Sequence, residues 1–326
     1  MPNAGIAETR PARAKSSPRS ACRVGIRKAT PLMNTLAHSV ANKPMPSIDQ
    51  RRRVLIGVAL TRFRLSRMRL GRIASPDGVA FVSIEGDGSE ATAREIAEHP
   101  FGTPTFTGRS WPLADVRLLA PILASKVVCM GKNYLAHIEE MGGQAPEDPV
   151  IFLKPNTAIV GPGVPIQLPA NASPVHHEGE LAAVIGRPCK DVSAARAGEV
   201  ILGYTIANDV SARDQQKADG QWIRAKGHDT FCPVGPWIVT DLDPSDLEIR
   251  TEVNGEVRQR SRTSMMIHDI GAIIEWMSAV MTLLPGDLIL TGTPEGVGPL
   301  EDGDTVSVTV EGIGTLTNPV IRKGVR

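Results

Sequence analysis

The stretch Val175-His176-His177-Glu178-Gly179-Glu180-Leu181-Ala182-Ala183-Val184-Ile185 constrains the fold more than any other part of the chain. Alternation with period two puts His176, Glu178 and Glu180 on one face of a strand, ahead of an apolar run that can enter a core. Two carboxylates are thereby carried toward one small site. Like charges at close range repel and unpaired burial is costly, so the pair must capture a cation, share a proton or face water. A divalent metal site is one reading of the pattern; a solvated edge strand with its acids outward is the other.

A third acid bears on the choice. Asp209 ends the apolar run that starts at Val200, 29 residues after Glu180, and is followed by the polar stretch Ser211-Ala212-Arg213-Asp214-Gln215-Gln216 leading into a helix. Three oxygen ligands suit a hard cation such as Mg²⁺ or Mn²⁺, which keeps open positions for water and substrate. Zinc is less well served. His176 shares the acids' face but is placed behind them, as a partner that orients a carboxylate.

The rest of the chain reads as short strands. With 31 Gly, 26 Pro and only 4% aromatic residues, turns and short strands are favoured over long helices. Strands are expected at Val79–Ile84, Lys126–Gly131, Ile151–Pro155, Val200–Asp209, Asp287–Thr291 and Thr305–Val310, with Asn254-Gly255 as a two-residue hairpin turn. Residues 100–112 read as loop. Helices are expected from Leu135 to Met141 and from about Ser264 to Leu283, where Met266, Ile270, Ile273, Ile274, Met277 and Val280 form a core-packing stripe. The class is mixed β (α+β), with no GxGxxG or P-loop and no internal repeat.

Charge divides the chain. Residues 1–67 hold 14 Lys and Arg against Glu8 and Asp49, a net +12, whereas the remainder holds 22 against 33, a net −11. This basic front is read as an upstream extension of the reading frame before Met68, a disordered arm or a targeting segment. Aromatics that would stack on bases are nearly absent there, so no nucleic-acid partner is expected. Residues 68–125 read as a small β-rich N-terminal domain and residues 126–326 as a larger one. The cysteines Cys22, Cys129, Cys189 and Cys232 have no CxxC spacing and point to a reducing, cytoplasmic compartment rather than a disulfide framework. The seven-residue run Val54–Leu60 is far too short for a membrane span, and none is expected.

Five pieces in order give a resemblance: Gly131-Lys132-Asn133-Tyr134, the His-x-Glu-x-Glu of 176–180, Asn208-Asp209-Val210-Ser211-Ala212-Arg213-Asp214, Lys226-Gly227, and Pro285-Gly286-Asp287-Leu288-Ile289-Leu290-Thr291-Gly292-Thr293-Pro294-Glu295-Gly296-Val297-Gly298. With these, residues 126 to about 323 resemble the fumarylacetoacetate hydrolase family. The resemblance implies a β-roll catalytic domain, usually dimerising, with Glu178, Glu180 and Asp209 as ligands to Mg²⁺ or Mn²⁺. It places Lys226 beside the metal, Gln216 and Thr293 in the substrate cavity, and His137 with Glu140 on a lid helix as a dyad that activates water. The i, i+3 spacing of that pair equally describes a solvated helix face. Arg213 and Lys226 are candidates to steady a second substrate carboxylate, and Arg213 could instead pair with Asp214. The implied substrate is a 2-oxo acid, reacting through a metal-stabilised enolate. The range runs from a 2-hydroxyhepta-2,4-diene-1,7-dioate isomerase to a fumarylpyruvate or acylpyruvate hydrolase of aromatic catabolism, with oxaloacetate decarboxylation as a further possibility. A metal-binding module without turnover is the alternative from another class.

Overall fold

The computed structural model describes residues 67–322, so the expectations for the basic front fall, up to residue 66, outside the described residues. Fifteen strands carry the argument: β1 Arg69–Ser75, β2 Gly78–Glu85, β3 Thr92–Ile96, β4 Phe106–Pro112, β5 Val127–Gly131, β6 Val150–Lys154, β7 Ile166–Leu168, β8 Gly179–Ile185, β9 Ile201–Asn208, β10 Cys232–Val239, β11 Glu248–Val253, β12 Glu256–Arg262, β13 Leu288–Leu290, β14 Thr305–Val310 and β15 Gly314–Arg322. Among the described residues the α-helices are α1 Leu135–Glu140, α2 Arg213–Ala218, α3 Ile223–Lys226 and α4 Ile270–Val280. The fold is mixed α+β and mostly sheet.

The main sheet runs in the order β4-β3-β2-β1-β10-β9-β8-β13-β5-β6, and a second runs β12-β11-β14-β15-β7. Strand β1 pairs antiparallel with β10, so the strands of residues 68–125 continue the sheet that holds β8. All seven residues of β8 are buried, because both its faces are covered. Leu181, Ala183 and Ile185 join a core with Ile249 of β11, Val308 of β14 and helix α4. Ala182 and Val184 join another with Val127, Cys129, Leu288 and Leu290. That second face, read back toward the start of the strand, is the one that carries Glu180.

The Asn254-Gly255 hairpin forms between β11 and β12 with φ of 54° and 80°, the two positive values a type I′ turn requires. Helix α4 is shorter than its periodicity suggested. Asp269 caps it by accepting from the Ala272 N–H at 2.8 Å, and residues 263–265 form a separate 3₁₀ turn. Ile270, Ile273, Ile274 and Met277 are buried as expected, but Val280 lies in the last turn and is 57% exposed. The expected loop at 100–112 is also corrected, since Phe106–Pro112 is the edge strand β4, paired with β3. Its register is supported by side chains rather than apolar alternation: Thr107 Oγ1 and Arg109 Nε donate to Glu95 Oε2 at 2.5 and 2.6 Å. Among the described residues no helix is long and apolar enough to cross a membrane.

Candidate active site

Register brings the three acids together. Strands β8 and β9 pair Glu180 with Ala207 and Gly179 with Asn208, and just past the ladder the Asp209 N–H donates to Glu178 O at 2.8 Å. Glu178 and Asp209 therefore stand opposite each other, with Glu180 two residues along on the same face. Their carboxylate oxygens lie within 4.8 Å of one another, and all three residues are buried. This donor set could hold a divalent cation.

The stretch is not one continuous strand. Val175–His176 pairs with Ser211–Ala212 in a separate ladder, and β8 begins only at Gly179. Between them the backbone leaves the ladder: His177 N–H donates to Gly298 O at 3.1 Å, and Glu178 N–H to the side-chain Oδ1 of Asn208 at 2.9 Å. Gly179 is required at the joint, because a Cβ there would collide with Thr251 Oγ1. His176 lies on the short strand; its buried Nδ1 has no hydrogen-bond partner, and burial pulls its imidazole down to about 4. His177, which the alternation left unremarked, is the fully buried one, with Nδ1 3.2 Å from Gln259 Oε1. Gln259 also accepts from the Gly179 N–H at 3.0 Å and donates to Thr293 Oγ1 at 2.8 Å, bracing the acidic segment against the loop after β13.

Three cations answer the acids. Lys226 Nζ lies 2.7 Å from both Glu178 Oε2 and Asp209 Oδ2, Arg213 Nη1 lies 2.6 Å from Glu178 Oε1, and Lys154 Nζ lies 2.5 Å from Asp209 Oδ1. Arg213 thus pairs with Glu178, not Asp214, and Lys154 is a site residue that sequence reasoning missed. Its only signal was a lysine closing the apolar strand β6. Burial works against ionising Glu178, yet Lys226 and Arg213 outweigh it and hold the carboxyl well below the usual range. Burial likewise opposes the Lys226 charge, but Asp209 and Glu178 hold its pKa above the ordinary lysine value. Glu180 has no such cation. Among the described residues it accepts only the Gly292 N–H, at 2.7 Å, and burial, then Asp209 and Glu178, push its carboxyl well up.

The triad opens into a cavity of about 510 Å³ that His137, Arg213, Gln216, Lys226 and Thr293 also line. Phe152 and Trp222, edge to face at 5.3 Å between centroids, form part of its apolar wall. Gln216 Oε1 accepts from Arg213 Nη1 at 2.8 Å, and Thr293 Oγ1 donates to Gly179 O at 2.9 Å. Helix α1 presents His137, buried, to the cavity, with Nδ1 3.2 Å from Glu140 Oε2; the other Glu140 oxygen accepts the Gly296 N–H at 3.0 Å. Glu140 and His176 are not among the lining residues. The arrangement offers a corner that could hold a cation, an imidazole braced by a carboxylate and a partly enclosed cavity: parts that can move a proton on a small anionic molecule.

Known proteins resemble this chain in sequence and fold. The family model described as fumarylacetoacetate (FAA) hydrolase C-terminal matches residues 126–321, and one described as Rv2993c-like, N-terminal matches residues 68–121. The structure of a 5-carboxymethyl-2-hydroxymuconate delta-isomerase from Mycobacterium smegmatis is 82% identical, with a TM-score of 0.75 over 78% of this chain and 100% of that one. That of a 2-hydroxyhepta-2,4-diene-1,7-dioate isomerase from Mycobacterium marinum is 80% identical, with a TM-score of 0.75 over 79% of this chain and 100% of that one. A mitochondrial oxaloacetate tautomerase, fahd2 of Xenopus laevis, is 43% identical over 221 residues, 64% of this chain and 69% of its own length.

Proposed function

Because this chain belongs to the fumarylacetoacetate hydrolase family, we propose that it is a Mg²⁺-dependent isomerase of a 2-hydroxydienoic or 2-oxo acid, with 2-hydroxyhepta-2,4-diene-1,7-dioate as the substrate type. The observation that carries this reading is that His137 and the three carboxylates face one cavity. Glu178, Glu180 and Asp209 would hold the cation; their all-oxygen donor set fits a hard ion, with Mn²⁺ able to replace Mg²⁺. When bound, the cation supplies Lewis-acid stabilisation of negative charge on the substrate's oxygens.

The chain's own groups do the rest. With Glu140 Oε2 accepting from Nδ1–H, the other imidazole nitrogen of His137 is left as the proton acceptor. Isomerisation then needs one proton taken from the 2-hydroxyl and one returned to the far carbon of the conjugated system, with no other bond broken. Lys226, buried between Glu178 and Asp209, adds positive charge where the substrate becomes anionic. Arg213 adds two buried donors, Nε and Nη2, that have no hydrogen-bond partner among the described residues.

A second reading, keto–enol exchange or decarboxylation of oxaloacetate, is favoured by the likeness to the tautomerase and uses the same proton carrier. Hydrolysis of an acylpyruvate would use His137 to activate water instead. A binding module without turnover has no use for a buried imidazole on the cavity wall whose Nδ1 is held by a carboxylate behind it. Assaying the dienedioate, oxaloacetate and an acylpyruvate with Mg²⁺ separates these readings; no metal-dependent activity on any of the three would overturn the proposal.

A further inference from the structure

Most cations around the cavity are already ion-paired: Lys226 with Glu178 and Asp209, Arg213 through Nη1 with Glu178, and Lys154 with Asp209 behind them. Two are not. Lys132 and Lys217 also line the cavity, and among the described residues neither side chain has a hydrogen bond or ion pair. Both are exposed, so they belong to the cavity's mouth rather than its floor.

Lys132 is also held in an unusual way. Its φ is 58°, in the left-handed region, which asparagine or glycine would adopt at lower cost. The turn is fixed on both sides. Before it, Gly131 packs so closely on Trp222 that an added Cβ would lie 2.8 Å from the indole ring. After it, Asn133 is fully buried: its Nδ2 donates to His268 O at 3.0 Å and Thr291 O at 2.8 Å, while its Oδ1 accepts the His268 N–H at 2.8 Å. The backbone at the joint between β5 and α1 thus holds Lys132 on the wall of the cavity in a conformation costly for a lysine.

We propose that Lys132, assisted by Lys217, forms a second anion subsite of the cavity, taking the distal carboxylate of a dicarboxylic 2-oxo acid. This rests on the reading of the cavity as a 2-oxo acid site and narrows it to dianionic substrates. It also moves the second carboxylate away from Lys226, whose ammonium is engaged by two protein carboxylates. An ammonium with no protein partner at a partly enclosed mouth gains a charge-assisted hydrogen bond when the distal carboxylate arrives, whereas a neutral tail gains none.

The test is isothermal titration of Mg²⁺-loaded protein with 2-oxoheptanedioate and with 2-oxoheptanoate, saturated acids of equal length that differ only in the distal carboxylate. Wild type is expected to bind the dianion at least about tenfold more tightly. Lys132→Asn, which suits the positive φ and removes the charge, is expected to bring the two affinities together while leaving that for 2-oxoheptanoate unchanged. Lys132→Arg is expected to keep the preference, and Lys217→Met to reduce it by a smaller factor. The unchanged affinity for the monoanion reports that the variant is folded; if Lys132→Asn fails that control, the same comparison is made with Lys132→Gly, which also suits the positive φ and removes the charge. Equal affinities in wild type, or a preference that survives Lys132→Asn, overturns the subsite alone. Failure of wild type to bind either acid overturns the 2-oxo acid reading, and the subsite with it.

Discussion

Glu178→Gln and Glu180→Gln remove the same charge from the same corner, yet they are expected to affect the metal-free protein differently. Glu178 is gripped by Arg213 Nη1 at 2.6 Å and Lys226 Nζ at 2.7 Å, so its amide leaves buried cations facing a group that cannot answer them. Breaking such a pair costs about 3–5 kcal/mol, and at about 2 °C per kcal/mol for a chain of this size the melting temperature falls by about 6–10 °C. Glu180 has only the Gly292 N–H among the described residues, and burial, followed by Asp209 and Glu178, raises its carboxyl well above the usual range. Metal-free, its carboxyl is biased toward the protonated form, and glutamine copies that neutral form while still accepting from Gly292. Glu180→Gln should therefore shift the melting temperature by no more than about 2 °C, the scale of a mutation that removes no paired group. The sign of the linkage follows from the raised pKa. The folded state binds the proton more tightly than the unfolded one, so this residue's contribution is complete below its ordinary value of 4.5 and is lost as pH rises through the raised value. A cation must displace that proton. Its affinity should then climb about tenfold per pH unit while Glu180 remains protonated, with about one proton released. Scanning calorimetry after chelation, and Mg²⁺ titration in two buffers of different ionisation enthalpy, measure both quantities. Equal destabilisation by the two variants, or binding without proton release, would refute the reasoning.

Other substitutions follow from the same geometry. His137→Ala should lower turnover by about 10²–10⁴-fold while leaving Mg²⁺ affinity within a factor of two, measured by steady-state kinetics and titration. Lys154→Met leaves the buried Asp209 carboxylate without the ammonium at 2.5 Å and should cost about 3–5 kcal/mol by denaturant unfolding. Gly179→Ala forces a methyl against Thr251 Oγ1 and should cost about 1–3 kcal/mol, with Thr251→Ala in the same chain recovering part of the loss.

How much of this was legible in the sequence depended on whether a signal was local. Period-two alternation put Glu178 and Glu180 on one face, and Asp209 was visible at the end of an apolar run, because a strand's own pattern records which face is buried. The Asn254-Gly255 turn and the α4 stripe were readable for the same reason. The break at His177 and Glu178 was not: alternation persists across it, and only Gly298 and Asn208, distant partners, draw the backbone out of the ladder. Lys154 was missed because its meaning lies in Asp209, 55 residues on. For His137 and Glu140 the spacing fits a solvated face as well as a cavity wall, and the difference is made by the Gly296 N–H, 156 residues away. Strand β4 was hidden because an edge strand supported by Glu95, Thr107 and Arg109 has no apolar alternation to read.

The central claim is that Glu178, Glu180 and Asp209 form a cation site that serves turnover in the cavity they share with His137. Its most direct test is to strip the protein with chelator, add Mg²⁺ in increments, and follow the loss of diene absorbance from 2-hydroxyhepta-2,4-diene-1,7-dioate alongside the amount of ion bound. Activity should rise from background in step with one ion per chain, and Glu178→Ala should show neither binding nor turnover. Full activity in the stripped protein, or undiminished Mg²⁺-dependent turnover by Glu178→Ala, would contradict it.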